Sequence, residues 1–176
     1  MIRDALDHTD VDAFCRAAWP RLVAGLSPWC DSRAVAEELA QETLVRVWER
    51  WPQLIEARDP EAWMWRVAIN LSRSSRRRSM AERRALRRAG GVRVQAPEPA
   101  AVDEGLLAAV RALPDRQRRA VVLRHIVDLP VAVVAEAMDC AEGTVRALTH
   151  QGLDRLRRDA ALTDADPASE EVAQDG

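Results

Sequence analysis

All six tryptophans, Trp19, Trp29, Trp48, Trp51, Trp63 and Trp65, and the single phenylalanine, Phe14, lie before residue 66. Aromatic side chains bury the most area per residue, so their placement decides where the bulkiest core can form. Beyond residue 66 the apolar residues are almost entirely Leu, Val, Ile, Met and Ala. At 176 residues the chain lies between one domain and two small ones. The uneven sharing predicts an aromatic-cored N-terminal domain and a smaller, aliphatic C-terminal domain.

The apolar spacing is helical. Thr9 to Asp12 supply a cap and early acids for a first helix, in which Phe14, Ala18, Leu22 and Leu26 recur every four positions until Ser27-Pro28 stops it. A second helix, capped by Asp31 or Ser32, carries Val35, Leu39, Thr43, Val47 and Trp51 on one stripe, and Pro52 is expected to close it. Asp59-Pro60-Glu61 starts a third: the Asp carboxylate accepts from free amides, and a proline at the first helical position loses no bond. This helix passes through Trp63 and Trp65 into an arginine run that ends at Gly90-Gly91. Residues 91 to 104 have the composition of a linker. A short helix from Leu106 to Leu113 follows, then three more, broken near Asp128-Leu129 and at Asp139 to Glu142, with an acidic tail after Leu162 expected to be disordered. The expected architecture is all-α: one helical unit over 9–90, a linker over 91–104, a second unit over 105–160 and a tail over 161–176.

The formal net charge of -2 hides a strong asymmetry. From Arg66 to Arg88 there are nine arginines and one acid, Glu82, whereas residues 159–176 hold six acids and no base. No run is long enough to span a bilayer, and Asp4, Asp7, Asp10 and Asp12 do not suit a secretory leader, so a cytoplasmic location without membrane insertion is expected. Cys15, Cys30 and Cys140 are odd in number and lack metal-ligand spacing, so they are read as small apolar residues in a reducing compartment. No glycine-rich phosphate loop or nucleophile arrangement stands out, so neither a cofactor, a metal nor catalytic residues are expected.

Two constellations point to nucleic acid. The segment VAVVAEAMDCAEGTVRALTHQGLDRL fits a helix-turn-helix, with Val131, Val134, Ala135 and Met138 packing the first helix. The second helix offers Thr144, Arg146, Ala147, His150 and Gln151 to a major groove. Apolar periodicity alone does not tell this from a plain helical hairpin, which is the lesser alternative. In the third helix Arg66, Asn70, Arg73, Arg76 and Arg77 are three or four residues apart and share a face that can follow a phosphate backbone, or simply be solvated. Neighbouring tryptophans can stack on unpaired bases or pack the core, and the core is the plainer use for most of them.

Three segments carry a resemblance to a known family. AEELAQETLVRVWERW is similar to the second conserved region of the sigma-70 family of bacterial RNA polymerase sigma factors. PEAWMWRVAINLSRSSRRR is similar to its promoter-melting and minus-10 segment, and the stretch from LPDRQRR to GLDRLR to its region four. They cover most of residues 11 to 158 in the family's order with no domain between, as in the extracytoplasmic-function group.

The resemblance implies a two-domain factor that binds core RNA polymerase and directs promoter-specific initiation, with no enzyme of its own. Glu38, Gln41, Glu42 and Arg46 would be the polar contacts, beside an apolar seam, to the clamp helices of the largest subunit. The loop from Gln53 to Asp59 and the third helix would hold the melted minus-10 strand through Trp63, Arg66, Asn70, Arg73, Arg76 and Arg77. Gly143, Thr144, Arg146, Ala147, His150 and Gln151 would read the minus-35 element, with Arg146 foremost. The flap of the second-largest subunit and an anti-sigma factor complete the implied partners. Pro130 and Ala141 stand where the family commonly has capping hydroxyls, and Ala147, Leu148 and Gln151 leave the reading helix with few charges, which implies a weaker minus-35 contact with a shallower salt dependence. Two other readings compete: a stand-alone helix-turn-helix regulator, which would bind duplex DNA tightly by itself, and a helical interaction module, which leaves the match of the second helix unexplained.

Overall fold

A computed structural model of the chain describes residues 11–56, 59–88 and 104–164, and every regular element in them is helical. In chain order they are α1 (Val11–Leu26), a 3-10 turn (Ser27–Trp29), α2 (Arg33–Leu54), α3 (Pro60–Arg88), α4 (Glu104–Ala112), α5 (Asp115–Val121) running on into a π-helical turn (Val122–Ile126), α6 (Val131–Met138) and α7 (Glu142–Asp164).

The starts follow from side-chain chemistry. The Ser32 hydroxyl accepts from the Val35 amide at 3.3 Å to open α2, and the Asp59 carboxylate accepts from the Ala62 amide at 3.0 Å with Pro60 in the first helical position of α3. The two later breaks fall at Asp128 and Asp139, both left-handed with φ of 59° and 52°, a conformation Asp tolerates better than most residues. Pro52 does not close α2 as expected. The helix runs through it to Leu54, which is buried, while the Ile55 amide bonds the Trp51 carbonyl at 3.0 Å and the proline ring stays exposed. Core packing of that last turn outweighs the local penalty. At the other end α7 reaches Asp164, two residues beyond Leu162 and so into the stretch expected to be disordered; the rest of that tail, like most of the linker, lies outside the described residues.

In the N-terminal helices, Leu22 and Leu26 of α1, Val47 of α2 and Met64, Trp65 and Ile69 of α3 are fully buried. Trp65 meets Trp29 edge-on, with centroids 6.2 Å apart and planes at 76°, the geometry their ring quadrupoles favour. Trp51 and Trp63 pack partly buried against this core, with Phe14 5.1 Å from Trp51, whereas Trp19 and Trp48 remain exposed. The C-terminal helices bury Val122, Leu123, Leu129, Val134 and Val145. The two cores are not separate: buried residues of both halves form one continuous cluster, with α6 against α3 and the π-helical turn against α1. Gly25 makes the junction, since a Cβ there would lie 2.7 Å from Trp65 and 2.8 Å from Val127.

All three cysteines are unpaired, Cys30 buried and Cys15 and Cys140 half-buried. Burial, and then the nearby Asp31 carboxylate, pushes the Cys30 thiol up to about 12, so it holds almost no thiolate at neutral pH. In native protein at pH 7 a maleimide should label Cys30 far more slowly than after denaturation. Peptide mass spectrometry showing the same rate in both states would contradict this burial.

Candidate nucleic-acid interface

The outer face of α2 is the first surface. With Ala36, Leu39, Ala40, Thr43 and Val47 turned inward, Glu38, Gln41, Glu42 and Arg46 all reach solvent, and Arg46 pairs with Glu42 at 2.6 Å one turn away. The stripe expected to serve as their apolar seam is part of the core instead. The apolar residues on the outer face are Val45 and Trp48, 50% and 63% exposed and one turn apart. Sequence reasoning missed both, although a tryptophan off the core stripe was the available signal.

The second surface is α3. Arg66, Asn70, Arg73, Arg76 and Arg77 are all exposed, and Trp63 at their N-terminal end packs partly into the core. Of the adjoining loop, Ala57 and Arg58 lie outside the described residues. Two of these arginines are engaged by the C-terminal half: Arg66 donates to the Glu136 carbonyl at 2.6 Å, and Arg76 faces the Asp115 carboxylate at 3.5 Å. Arg77 instead bonds the Ser74 hydroxyl at 3.0 Å on its own helix.

The third surface is the α6–turn–α7 unit. Val134, Ala135 and Met138 bury the inner face of α6, and Val145 anchors α7. Asp139 reverses the chain, with the Cys140 amide bonding the Ala135 carbonyl at 3.0 Å. Gly143, Arg146, Ala147, His150 and Gln151 are exposed along one side of α7, and Thr144 is half-buried. A Cβ at Gly143 would meet nothing within 4 Å, so the approach to this end of α7 is open. Arg146, His150 and Gln151 each have a local partner: Arg146 pairs with Glu142 at 2.6 Å, His150 with Asp154 at 3.0 Å, and Gln151 accepts from Gln117 at 3.3 Å. Any outside ligand competes with those bonds.

Between the second and third surfaces lies a cluster that sequence reasoning did not single out. Arg119 is only 2% exposed. Its guanidinium grips Asp115 at 3.0 and 3.2 Å, donates to the Ile69 carbonyl at 3.3 Å, and sits 5.4 Å from the Trp29 ring centroid. Burial raises the Asp115 carboxyl, but the hydrogen bond and charge of Arg119, then those of Arg118, outweigh it and hold the group below the ordinary carboxylate value. Burial depresses Arg119 in turn, and Asp115 offsets part of that.

Comparison with known proteins fits this arrangement. The sigma-70 region 2 family model matches residues 17–82, from within α1 through most of α3, and the sigma-70 region 4 model matches residues 103–156, α4 through most of α7. The RNA polymerase sigma-E factor of Streptomyces antibioticus is 31% identical over 132 residues, 74% of this chain and 73% of that protein. The chain belongs to the sigma-70 family, in its extracytoplasmic-function group. The ECF RNA polymerase sigma factor SigL of Mycobacterium tuberculosis is 33% identical over 133 residues, 70% of this sigma factor and 73% of SigL. Among solved structures, the sigma factor RpoE in complex with the anti-sigma factor NepR from Bartonella quintana superposes with a TM-score of 0.66 at 23% identity, covering 87% and 96% of the two chains. CnrH in complex with the cytosolic domain of CnrY gives 0.60 at 20%, covering 90% and 92%.

As an RNA polymerase sigma factor, the protein works with core polymerase on promoter DNA and directs promoter-specific initiation of transcription. The π-helical turn and the exposed Ile126 lie within the region 4 match, and the Trp48 face within the region 2 match. Among the described residues no helix of this sigma factor is long and apolar enough to cross a membrane, and no group of three or more His, Cys, Asp or Glu side chains is placed to hold a metal.

Proposed function

We propose that the α2 face formed by Glu38, Gln41, Glu42, Val45, Arg46 and Trp48 is the surface that docks on the clamp helices of the polymerase largest subunit. The observation that carries this is Trp48, an aromatic side chain 63% exposed beside a second exposed apolar residue and ringed by charges. An apolar centre gives affinity and a charged rim sets register and on-rate. The test is co-purification of the chain with core polymerase and initiation from a cognate promoter. Absence of a stable complex would overturn the docking assignment.

In the same reading Trp63, Arg66, Asn70, Arg73, Arg76 and Arg77 hold the melted minus-10 strand, and Gly143, Thr144, Arg146, Ala147, His150 and Gln151 meet the minus-35 element. Residues 9–90 then act as the docking and melting domain, 91–104 as the linker, 105–160 as the upstream reader, which also meets the flap of the second-largest subunit, and 161–176 as an acidic tail. The protein carries no enzyme of its own and acts in the cytoplasm. An anti-sigma partner is part of the proposal, the RpoE structure having been solved with one. Exposed Arg146, near the start of α7, is the foremost base contact. Arg146→Ala should weaken promoter binding by the polymerase complex by about 5- to 150-fold, the range of a bidentate base contact. Arg158→Ala, two turns beyond the reading residues, should change it little. Equal losses in an electrophoretic shift assay would remove Arg146 from that role.

A further inference from the structure

Along α3 the later arginines divide into two faces. Arg76 and Arg83 pair with acids of other elements, Asp115 at 3.5 Å and Asp31 at 2.8 Å. Arg73, Arg77, Arg84 and Arg88 follow one another, with Met80 between them, at spacings of three or four and so share a second stripe. All four are exposed, and none meets an acid among the described residues; Arg77 has only the Ser74 hydroxyl. Like charges one turn apart, as in Arg73 with Arg77 and Arg84 with Arg88, weaken a helix. Every residue from 80 to 88 is exposed, so this end of α3 gains little from packing. Met80 and Leu86 lie uncovered beside the arginines. The end of α3 is therefore an unpartnered cationic helix with a little apolar surface.

The chain itself supplies a complementary segment. Residues 165–176, which follow α7, carry Asp166, Glu170, Glu171 and Asp175 with no base, and Val172 among them. Two arginines nearer to that segment are already engaged: Arg157 pairs with the Asp154 carboxylate at 2.8 Å, and Arg158 donates to the Asp154 carbonyl at 3.2 Å. Reach is sufficient. Gly152 packs against Gln117 of α5, and from there α7 runs about 18 Å to Asp164. Asp115, two residues before Gln117, already holds Arg76 of α3. A segment the length of 165–176 spans about 40 Å when extended, enough to bring its acids from the end of α7 back to the stripe. Each exposed ion pair is weak, but a tethered partner acts at an effective concentration of about millimolar.

We propose that residues 165–176 lie along the Arg73, Arg77, Arg84 and Arg88 stripe of α3 and screen it from nucleic acid until phosphates displace them. The screening rests on the minus-10 reading of α3 proposed above, because Arg73 and Arg77 serve both partners; the docking of the acidic segment does not. Carboxylates on the stripe relieve the repulsion between its arginines and steady a helix end that packing leaves unsupported. They also set a threshold, since a single strand must exchange its phosphates for carboxylates already in place.

The test compares the full chain, free of polymerase, with a variant in which the four carboxylates are neutralised in place, Asp166→Asn/Glu170→Gln/Glu171→Gln/Asp175→Asn. Amide hydrogen exchange over residues 79–88 should quicken at least about threefold in the variant, while exchange in α5 stays as it was. High salt should bring the wild-type chain to the same rate. Affinity for short, random-sequence, single-stranded DNA at low salt should rise at least about fivefold, because the unscreened form becomes the dominant population. In an Arg84→Ala/Arg88→Ala background, where alanine suits the helix, neutralising the acids should change both readouts less. Unchanged exchange over 79–88 overturns the docking, and a gain in affinity without it would mean that the acids act only through overall charge. Quicker exchange with unchanged affinity, while Arg73→Ala/Arg77→Ala still weakens DNA binding, overturns the screening. If that arginine pair has no effect on DNA binding, the minus-10 reading of α3 fails and the exchange rates alone decide where the acidic segment lies.

Discussion

Trp48→Ala should reduce binding of the sigma factor to core polymerase by roughly 30- to 900-fold, the loss that accompanies about 2–4 kcal/mol at an interfacial hot spot. The size of the effect follows from the side chain's position. Trp48 is 63% exposed and adds little to the fold, so truncation should leave thermal stability almost unchanged. Buried against a partner, the same ring would contribute area that no other side chain on this face offers. Val45→Asp, one turn earlier, should act in the same direction by placing a charge in the apolar centre. The measurement is a binding titration of labelled protein with core polymerase, paired with a melting curve. Full affinity in both variants would show that the polymerase docks elsewhere. A matching drop in melting temperature would show that the residues serve the fold.

The largest stability effect should come from Trp65→Ala. The ring is fully buried, meets Trp29 edge-on, and fills the space that Gly25 leaves open toward Val127. Removing a buried aromatic side chain typically costs about 3–5 kcal/mol, a large part of the roughly 5–15 kcal/mol that stabilises a small protein. Urea unfolding should show a midpoint shift of that size. Because Trp65 stands where both halves meet, the loss should reach the helices of each, and circular dichroism and tryptophan fluorescence should report one transition. Two well-separated transitions in wild type would show instead that the halves unfold independently.

Much of the fold was legible because local chemistry decided it. Ser32 and Asp59 start helices through the oxygen atoms they offer to free amides, and the breaks at Asp128 and Asp139 fall where a short polar side chain tolerates a left-handed backbone. The arginine face of α3 and the exposed side of α7 were legible from spacing alone. What periodicity cannot supply is the surface against which a buried stripe packs. The expected two cores proved continuous because the fit of Gly25, Trp65 and Val127 depends on residues about 40 and 100 positions apart. Arg119 was unreadable for a related reason. A charged residue is normally outside, and nothing local to DRQRR announces that Trp29 and the Ile69 carbonyl will enclose it. The exposed Val45 and Trp48 of α2 escaped notice because Val35, Leu39, Val47 and Trp51 form the better apolar pattern, and that pattern went to the core.

Pro52 leaves a mark on the face of α2 proposed to meet polymerase. Having no N–H, it cannot return a hydrogen bond to the carbonyl four residues earlier, which belongs to Trp48. The most exposed large apolar side chain of α2 therefore carries, on its own backbone, an acceptor that the helix does not satisfy through its regular ladder. A donor from a docking surface, such as a lysine or arginine at the end of a coiled coil, can engage that oxygen while the indole packs beside it. Helix distortion and recognition would then share one residue, and a single backbone atom would help fix the angle at which two helices cross.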